Sequence, residues 1–195
     1  MTITNDHELQ TAVKQAGILL QQIQDYCASV DKRWEEVPEA RVRFPRGFIR
    51  TASYQKLRVP FINDRALKDN LAYTLILSDA VLWLRIRTDI SGTASEMLVK
   101  LSVFLVGTLC ESITKNYLCG KCGKPYKERN AYLVKARIIS AELATELNWV
   151  WDMRNNMHLF LLERREYENQ YNSACHKRCI KAFRGLIAAL RAAAS

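Results

Sequence analysis

Hydrophobic residues recur at intervals of three and four along most of the chain, a periodicity that predicts α-helices rather than strands. The first amphipathic helix is expected over residues 7–34, before Pro38, Pro45 and Pro60 interrupt any regular structure. The predicted apolar face of this helix is formed by Leu9, Val13, Ala16, Leu20, Ile23 and Cys27.

About five further helices are predicted after residue 62, each bounded by local signals in the sequence. Asn63-Asp64 and Ser140 have side chains that cap helices, Thr93-Ala94-Ser95-Glu96 has the spacing of a capping box, and Pro125 suits a first helical turn. The predicted spans are 63–87, 93–118, 125–137, a long helix over 141–165, and 169–193. Glycine and proline are sparse and no internal repeat is present, so the sequence predicts an all-α helical bundle.

Two regions are expected along the chain. Residues 1–62 hold the first helix and a loop rich in proline and arginine, and residues 63–195 form a helical domain. The apolar windows at 71–84 and 98–110 are interrupted by Asp79 and Lys100 and are shorter than the roughly 20 residues of a membrane-spanning helix. They predict buried core helices without membrane association. The first fifteen residues are polar and lack an export signal, so a cytoplasmic location is expected.

The formal net charge of +9 favours encounter with a polyanion such as RNA. A loop over residues 41–50 mixes arginines with aromatic and aliphatic side chains, a composition suited to binding phosphates and stacking on bases. The alternative is a solvated loop packed down by its own phenylalanines. The candidate RNA-binding residues are Arg41, Arg43, Arg46 and Arg50.

Arg154 and His158 are four residues apart within an apolar helical pattern, so a continuous helix would place them on one face. Histidine can transfer protons near neutral pH, and arginine can stabilise the charge that develops on a phosphate. Asn155 could support them, while Glu111 could orient His158 or neutralise Arg154. Because one histidine rarely performs both proton transfers, two copies facing each other in a homodimer are expected. The alternative is a structural ion pair of Arg154 with Glu111 or Asp152 and a core histidine.

This segment resembles the signature region of the HEPN superfamily (higher eukaryotes and prokaryotes nucleotide-binding). The resemblance rests on Ile138-Ile139-Ser140-Ala141-Glu142-Leu143, on Leu147 and Trp151, and on Met153-Arg154-Asn155-Asn156-Met157-His158-Leu159. Leu109-Cys110-Glu111-Ser112-Ile113-Thr114-Lys115 is similar to an earlier helix of such domains, which often bears an acidic residue facing the motif. The resemblance covers about residues 64–193. Three residues separate the arginine from the histidine here, whereas four to six are usual in the superfamily.

The resemblance implies a helical domain that dimerises through its motif helices. Many such domains are metal-independent endoribonucleases of toxin–antitoxin, abortive-infection or other defence systems, which implies an antitoxin or defence-system partner and no cofactor for catalysis. Other members are inactive and serve as RNA-binding or dimerisation modules, which is the alternative for this chain.

Four cysteines form a candidate structural zinc site. Cys119 and Cys122 frame a glycine-containing turn typical of a zinc knuckle, and Cys175 and Cys179 share one face of the last helix. A site with four protein ligands would staple the fold, because it leaves no open position for water. The alternative is that Cys175 and Cys179 are small core residues and that Cys119 and Cys122 are free thiols in a loop.

Overall fold

The computed structural model describes residues 2–156 and 170–194, and the regular structure in these ranges is helical throughout, which confirms the all-α prediction. A single 3₁₀ turn, Pro38–Ala40, lies between the first two α-helices of the described chain. The α-helices are α1 (Asp6–Ser29), α2 (Ala52–Leu57), α3 (Arg65–Arg87), α4 (Gly92–Tyr117), α5 (Tyr126–Lys135), α6 (Ala141–Asn155) and α7 (Ser173–Ala194).

The chain divides into two compact units, residues 1–45 and 46–195. The first unit contains α1 and the 3₁₀ turn. The Asn5 side chain caps α1 by accepting a hydrogen bond from the Glu8 N–H, and the helix ends at Ser29, before the predicted end at residue 34. Much of its apolar face is exposed, with Leu9 at 47%, Val13 at 63% and Leu20 at 49% of their full accessibility.

The second unit begins earlier than the predicted boundary at residue 63, because α2 and the turn after it pack against α3. Val59 and Ile62 are fully buried there. The Gln55 side chain, also 0% exposed, donates a 2.8 Å hydrogen bond from Nε2 to Asp79 Oδ2 on α3. The sequence did not predict α2, since six residues framed by prolines are too few to show a helical period.

The predicted caps of α3 and α6 are confirmed. Asp64 accepts a 2.8 Å hydrogen bond from the Leu67 N–H, and Ser140 accepts one of 3.2 Å from the Leu143 N–H. The predicted capping residue of the 93–118 helix, Thr93, was wrong by two residues, because the N-cap is Ser91. The Ser95 N–H bonds to the Ser91 carbonyl, so α4 starts at Gly92 and the predicted capping box already lies inside it.

The core of the second unit is built around α4, which packs against α3, α5, α6 and α7. This helix is the one described helix long and apolar enough to cross a membrane, and 61% of its most apolar window is buried inside the fold. The prediction that residues 71–84 and 98–110 contribute core helices is confirmed. The predicted apolar face of α7 is buried, and it includes Cys175, Cys179, Phe183, Leu186 and Leu190.

His176 on α7 is buried, and its ring Nδ1 lies 3.4 Å from Arg85 Nη2 on α3. Burial and the charge of Arg85 lower the pKa of His176 to about 4. The unfolded chain therefore binds more protons than the folded chain between that value and the ordinary pKa of about 6.5, so stability should fall as the pH drops through this window.

Urea unfolding of the wild type and a His176→Gln variant at about pH 7 and about pH 4.5 tests this expectation. Glutamine does not titrate, so the variant should lose less stability between the two pH values than the wild type. Equal losses in both proteins would contradict the assignment, because the remaining carboxylates titrate in both.

Candidate functional site

Helices α4 and α6 bring together three of the four predicted catalytic residues. Arg154 Nη2 donates to Glu111 Oε2 at 3.4 Å, and Arg154 Nη1 donates to Asn155 Oδ1 at 3.2 Å. The pairing of Arg154 with Glu111 confirms that the two helices pack side by side here. The described helix α6 ends at Asn155, and His158 and the rest of the predicted span up to residue 165 lie outside the described residues.

Two aromatic rings also hold the Arg154 guanidinium. Its central carbon lies 4.8 Å from the centroid of Trp151 on the same helix and 5.8 Å from that of Phe104 on α4. Trp151 is itself stacked on Tyr126 of α5, with centroids 4.7 Å apart. Cation–π contacts of this kind stabilise a guanidinium by about 0.5–2 kcal/mol, depending on desolvation. Side chains of α4 and α6 thus hold the guanidinium in place, and α5 supports Trp151 through the stacked ring of Tyr126.

Gly107 on α4 permits this arrangement through the absence of a side chain. A Cβ atom at this position would lie 2.8 Å from both Cβ and Cγ of Arg154, closer than real Cβ contacts come. The stem of Arg154 therefore passes directly over the α4 backbone. Sequence reasoning missed this residue, although a lone glycine inside an apolar helix is a recognised sign of close packing.

The Arg154 side chain remains 26% exposed and that of Glu111 34% exposed, so both are accessible at the surface. The Arg154 Nε atom, in contrast, is buried and has no hydrogen-bond partner among the described residues. A buried N–H group without an acceptor is unfavourable and is expected to bind any suitable oxygen that reaches it. A phosphate oxygen would be such an acceptor, because the guanidinium fork matches phosphate geometry.

The four predicted RNA-binding arginines are divided between the two units. Arg41 forms a 2.7 Å ion pair with Glu36 in the first unit, which also contains Arg43. Arg46 and Arg50 belong to the second unit, where the Arg50 guanidinium lies 5.4 Å from the Tyr54 ring centroid. All four side chains belong to exposed residues. The exposed positions suit either the RNA interpretation or the solvated loop.

The four predicted zinc ligands do not form a metal-binding group. Cys119 is exposed in the turn after α4 and Cys122 is half-buried, whereas Cys175 and Cys179 are buried in the core on α7. Burial raises the pKa of both core thiols. Across residues 2–156 and 170–194, no three His, Cys, Asp or Glu side chains converge to hold a metal ion. Zinc therefore stays a prediction, while the positions of Cys175 and Cys179 match the alternative of core residues.

The fold and the site place this protein in the class of all-α helical bundles with a glutamate–arginine pair between two packed helices. No family model, curated protein or solved structure matches the chain significantly. We therefore infer the function from the site residues themselves.

Proposed function

We propose that residues 46–195 form a metal-independent endoribonuclease domain of HEPN type, with Arg154 binding the scissile phosphate and His158 transferring protons. The observation that supports this most is the state of Arg154: a guanidinium fixed by Glu111, Trp151 and Phe104, still partly exposed, with a buried Nε–H that lacks an acceptor. A preorganised positive charge of this kind is what a developing phosphorane dianion requires.

In the proposed reaction the imidazole of His158 removes the proton from an RNA 2′-hydroxyl. The 2′-oxygen attacks phosphorus, the bond from phosphorus to the 5′-oxygen breaks, and the leaving oxygen takes a proton from the imidazolium of His158 in a second copy of the chain. Arg154 donates to the non-bridging oxygens, and Glu111 and Asn155 keep its guanidinium in place. The products are a 2′,3′-cyclic phosphate and a free 5′-hydroxyl.

The basic character of the chain supports RNA as the substrate. The net charge of +9 favours association with a polyanion, and Arg41, Arg43, Arg46 and Arg50 could add phosphate contacts. In a toxin–antitoxin or defence system, an antitoxin or another partner protein would restrain such an activity in the cytoplasm.

The Glu111–Arg154 pair also favours a second function, a non-catalytic RNA-binding or dimerisation module. In that case the pair is a structural link between α4 and α6. Glu111 then neutralises the positive charge of Arg154 that would otherwise bind a phosphate. The two functions differ in whether RNA is cut, so a cleavage assay separates them.

We expect the purified full chain to cleave a mixed RNA pool in the presence of a metal chelator and to leave 2′,3′-cyclic phosphate ends. A His158→Ala variant should lose about 10²–10⁴-fold in rate, the usual contribution of general acid–base catalysis. Arg154→Ala should be similarly impaired, because charge stabilisation at phosphorus contributes on the order of 10²–10³-fold.

Arg178→Ala is the matched control for Arg154→Ala. Arg178 also pairs with a glutamate, Glu146 at 2.6 Å, and also lies over a tryptophan, Trp149 at 4.0 Å. Its loss should leave cleavage unchanged if Arg154 acts on the phosphate. Intact RNA with a folded wild-type dimer that still binds RNA would favour the non-catalytic module, and equal losses in both arginine variants would point to a general loss of stability.

A further inference from the structure

A second arginine-rich site lies across α4 from Arg154. Two adjoining cavities are found near α2 and α7, of about 380 and about 90 Å³. Val106 and Leu109 of α4 line the smaller cavity, whereas Gly107 and Glu111 face Arg154. Residues of a helix are rotated by about 100° each, so these two pairs lie on opposite sides of α4. The cavities are therefore separate from the proposed ribonuclease site.

Arginines from three segments line these cavities. Arg58 and Arg184 border both, Arg191 borders the larger and Arg50 the smaller. Arg191 Nη2 also donates to the carbonyls of Leu57 and Arg58 at 3.2 Å, which ties α7 to the end of α2. The packing of α2 against the bundle thus assembles a basic wall from residues far apart in the sequence.

Four arginines but one carboxylate line the two cavities in the described part of the chain. The described residues around the larger cavity include no carboxylate, and those around the smaller one include Asp79. Asp79 Oδ2 already accepts hydrogen bonds from Gln55 Nε2 at 2.8 Å and from the Arg50 N–H at 3.1 Å. Burial and the charges of Arg50 and Arg184 lower the pKa of Arg58, and the negative charge of Asp79 opposes this shift only in part.

The larger cavity also has an aromatic member. Tyr54 is 50% exposed at its edge, and the Arg50 guanidinium lies 5.4 Å from its ring centroid. Leu57, Ile187 and Ala188 complete the lining with apolar surface. An apolar cavity of a few hundred Å³ with a few polar groups is the usual form of a small-molecule site. Arginines suit phosphate, and an exposed tyrosine ring suits the face of a base.

We propose that this cavity binds a nucleoside monophosphate, with the phosphate between Arg58 and Arg184 and the base against Tyr54. The guanidinium groups donate to the phosphate oxygens, and Arg50 and Arg191 add positive charge at the two sides. Since the cavity lies across α4 from Arg154, this ligand is not the substrate of the proposed cleavage and binds whether or not the protein is a ribonuclease.

Titration calorimetry of the full chain with AMP tests the proposal. We expect the wild type to bind AMP. Adenosine and inorganic phosphate should each bind at least about tenfold more weakly than AMP. The Arg184→Gln substitution should weaken AMP binding by about tenfold, the equivalent of one charged hydrogen bond. Lys181→Gln is the matched control, because Lys181 is an exposed cation on the same helix that does not line either cavity. It should leave AMP affinity within about twofold of wild type.

A second variant, Ala188→Leu, tests the cavity without changing charge, since it fills space at the lining and should also weaken AMP. The proposal would be overturned if the folded wild type showed no heat of binding up to about 1 mM AMP. Equal losses of AMP affinity in Arg184→Gln and Lys181→Gln would also overturn it, because they indicate general attraction to a basic protein. Binding of single-stranded RNA that AMP does not displace would be the third contrary result. RNA cleavage by Arg184→Gln, measured in parallel, reports on the proposed ribonuclease separately.

Discussion

A Gly107→Ala variant is expected to unfold at a lower urea concentration than the wild type. The new methyl group would lie 2.8 Å from Cβ and Cγ of Arg154, and these atoms are near the backbone, where a side chain cannot move aside without moving α6. Overpacking of this kind costs about 1–3 kcal/mol. Alanine in place of glycine in a helix offsets this by up to about 1 kcal/mol, so a net loss of about 1–2 kcal/mol is expected.

Gly185→Ala on α7 is the matched control, because it gains the same helix propensity. Its Cβ would meet Cδ1 of Leu143 at 3.0 Å, which is the flexible end of a side chain. Urea unfolding of both variants measures the difference in their free energies of unfolding, provided that the dependence of this free energy on urea concentration is the same in both. If Gly107→Ala were as stable as Gly185→Ala, α4 and α6 would not be in contact as closely as described. In the proposed ribonuclease, Gly107→Ala should also reduce cleavage by about 10²-fold, since a displacement of about 1 Å can have that effect.

Asp79→Ala should produce the largest loss of stability. The substitution removes the acceptor of the fully buried Gln55 side chain and of the Arg50 N–H, and it removes a negative charge near Arg58. A buried donor left without an acceptor costs about 1–3 kcal/mol, and the part-buried Arg50 N–H adds a smaller cost to that of Gln55, so a loss of about 2–4 kcal/mol is expected.

The control for this variant is Asp69→Ala, also on α3. Asp69 pairs with Lys56 of α2, and both side chains are partly exposed. An ion pair of this type contributes about 0–1 kcal/mol. Similar unfolding midpoints for the two variants would show that Asp79 does not organise the packing of α2 on α3.

Much of the fold could be predicted from the sequence, because its signals are local. Asp64 and Ser140 cap α3 and α6 through bonds to residues three positions ahead, and the apolar face of α7 follows from its period alone. The contact between Glu111 and Arg154 could be predicted only if their helices pack against each other. In the structure these two helices do pack against each other.

The remaining features depend on contacts between distant segments. The role of Gly107 follows from where α6 crosses α4, and nothing in its own neighbours specifies that crossing. Arg58 and Arg184 lie far apart in the sequence, and each taken alone is an ordinary surface cation. No local pattern marks residues that become neighbours only when α2 and α7 pack, and for this reason the sequence pointed to the loop over residues 41–50 instead.

The distribution of the six cysteines gives this protein a ready attachment point for a spectroscopic probe. Cys110 is completely buried and burial raises its pKa to about 12, and Cys175 and Cys179 are protected in the same way. Cys119 is the one exposed thiol of the six. A maleimide dye reacts with thiolate, so under native conditions it should couple to Cys119 first. The native sequence thereby provides a fluorescent reporter at the end of α4 for following ligand binding and assembly.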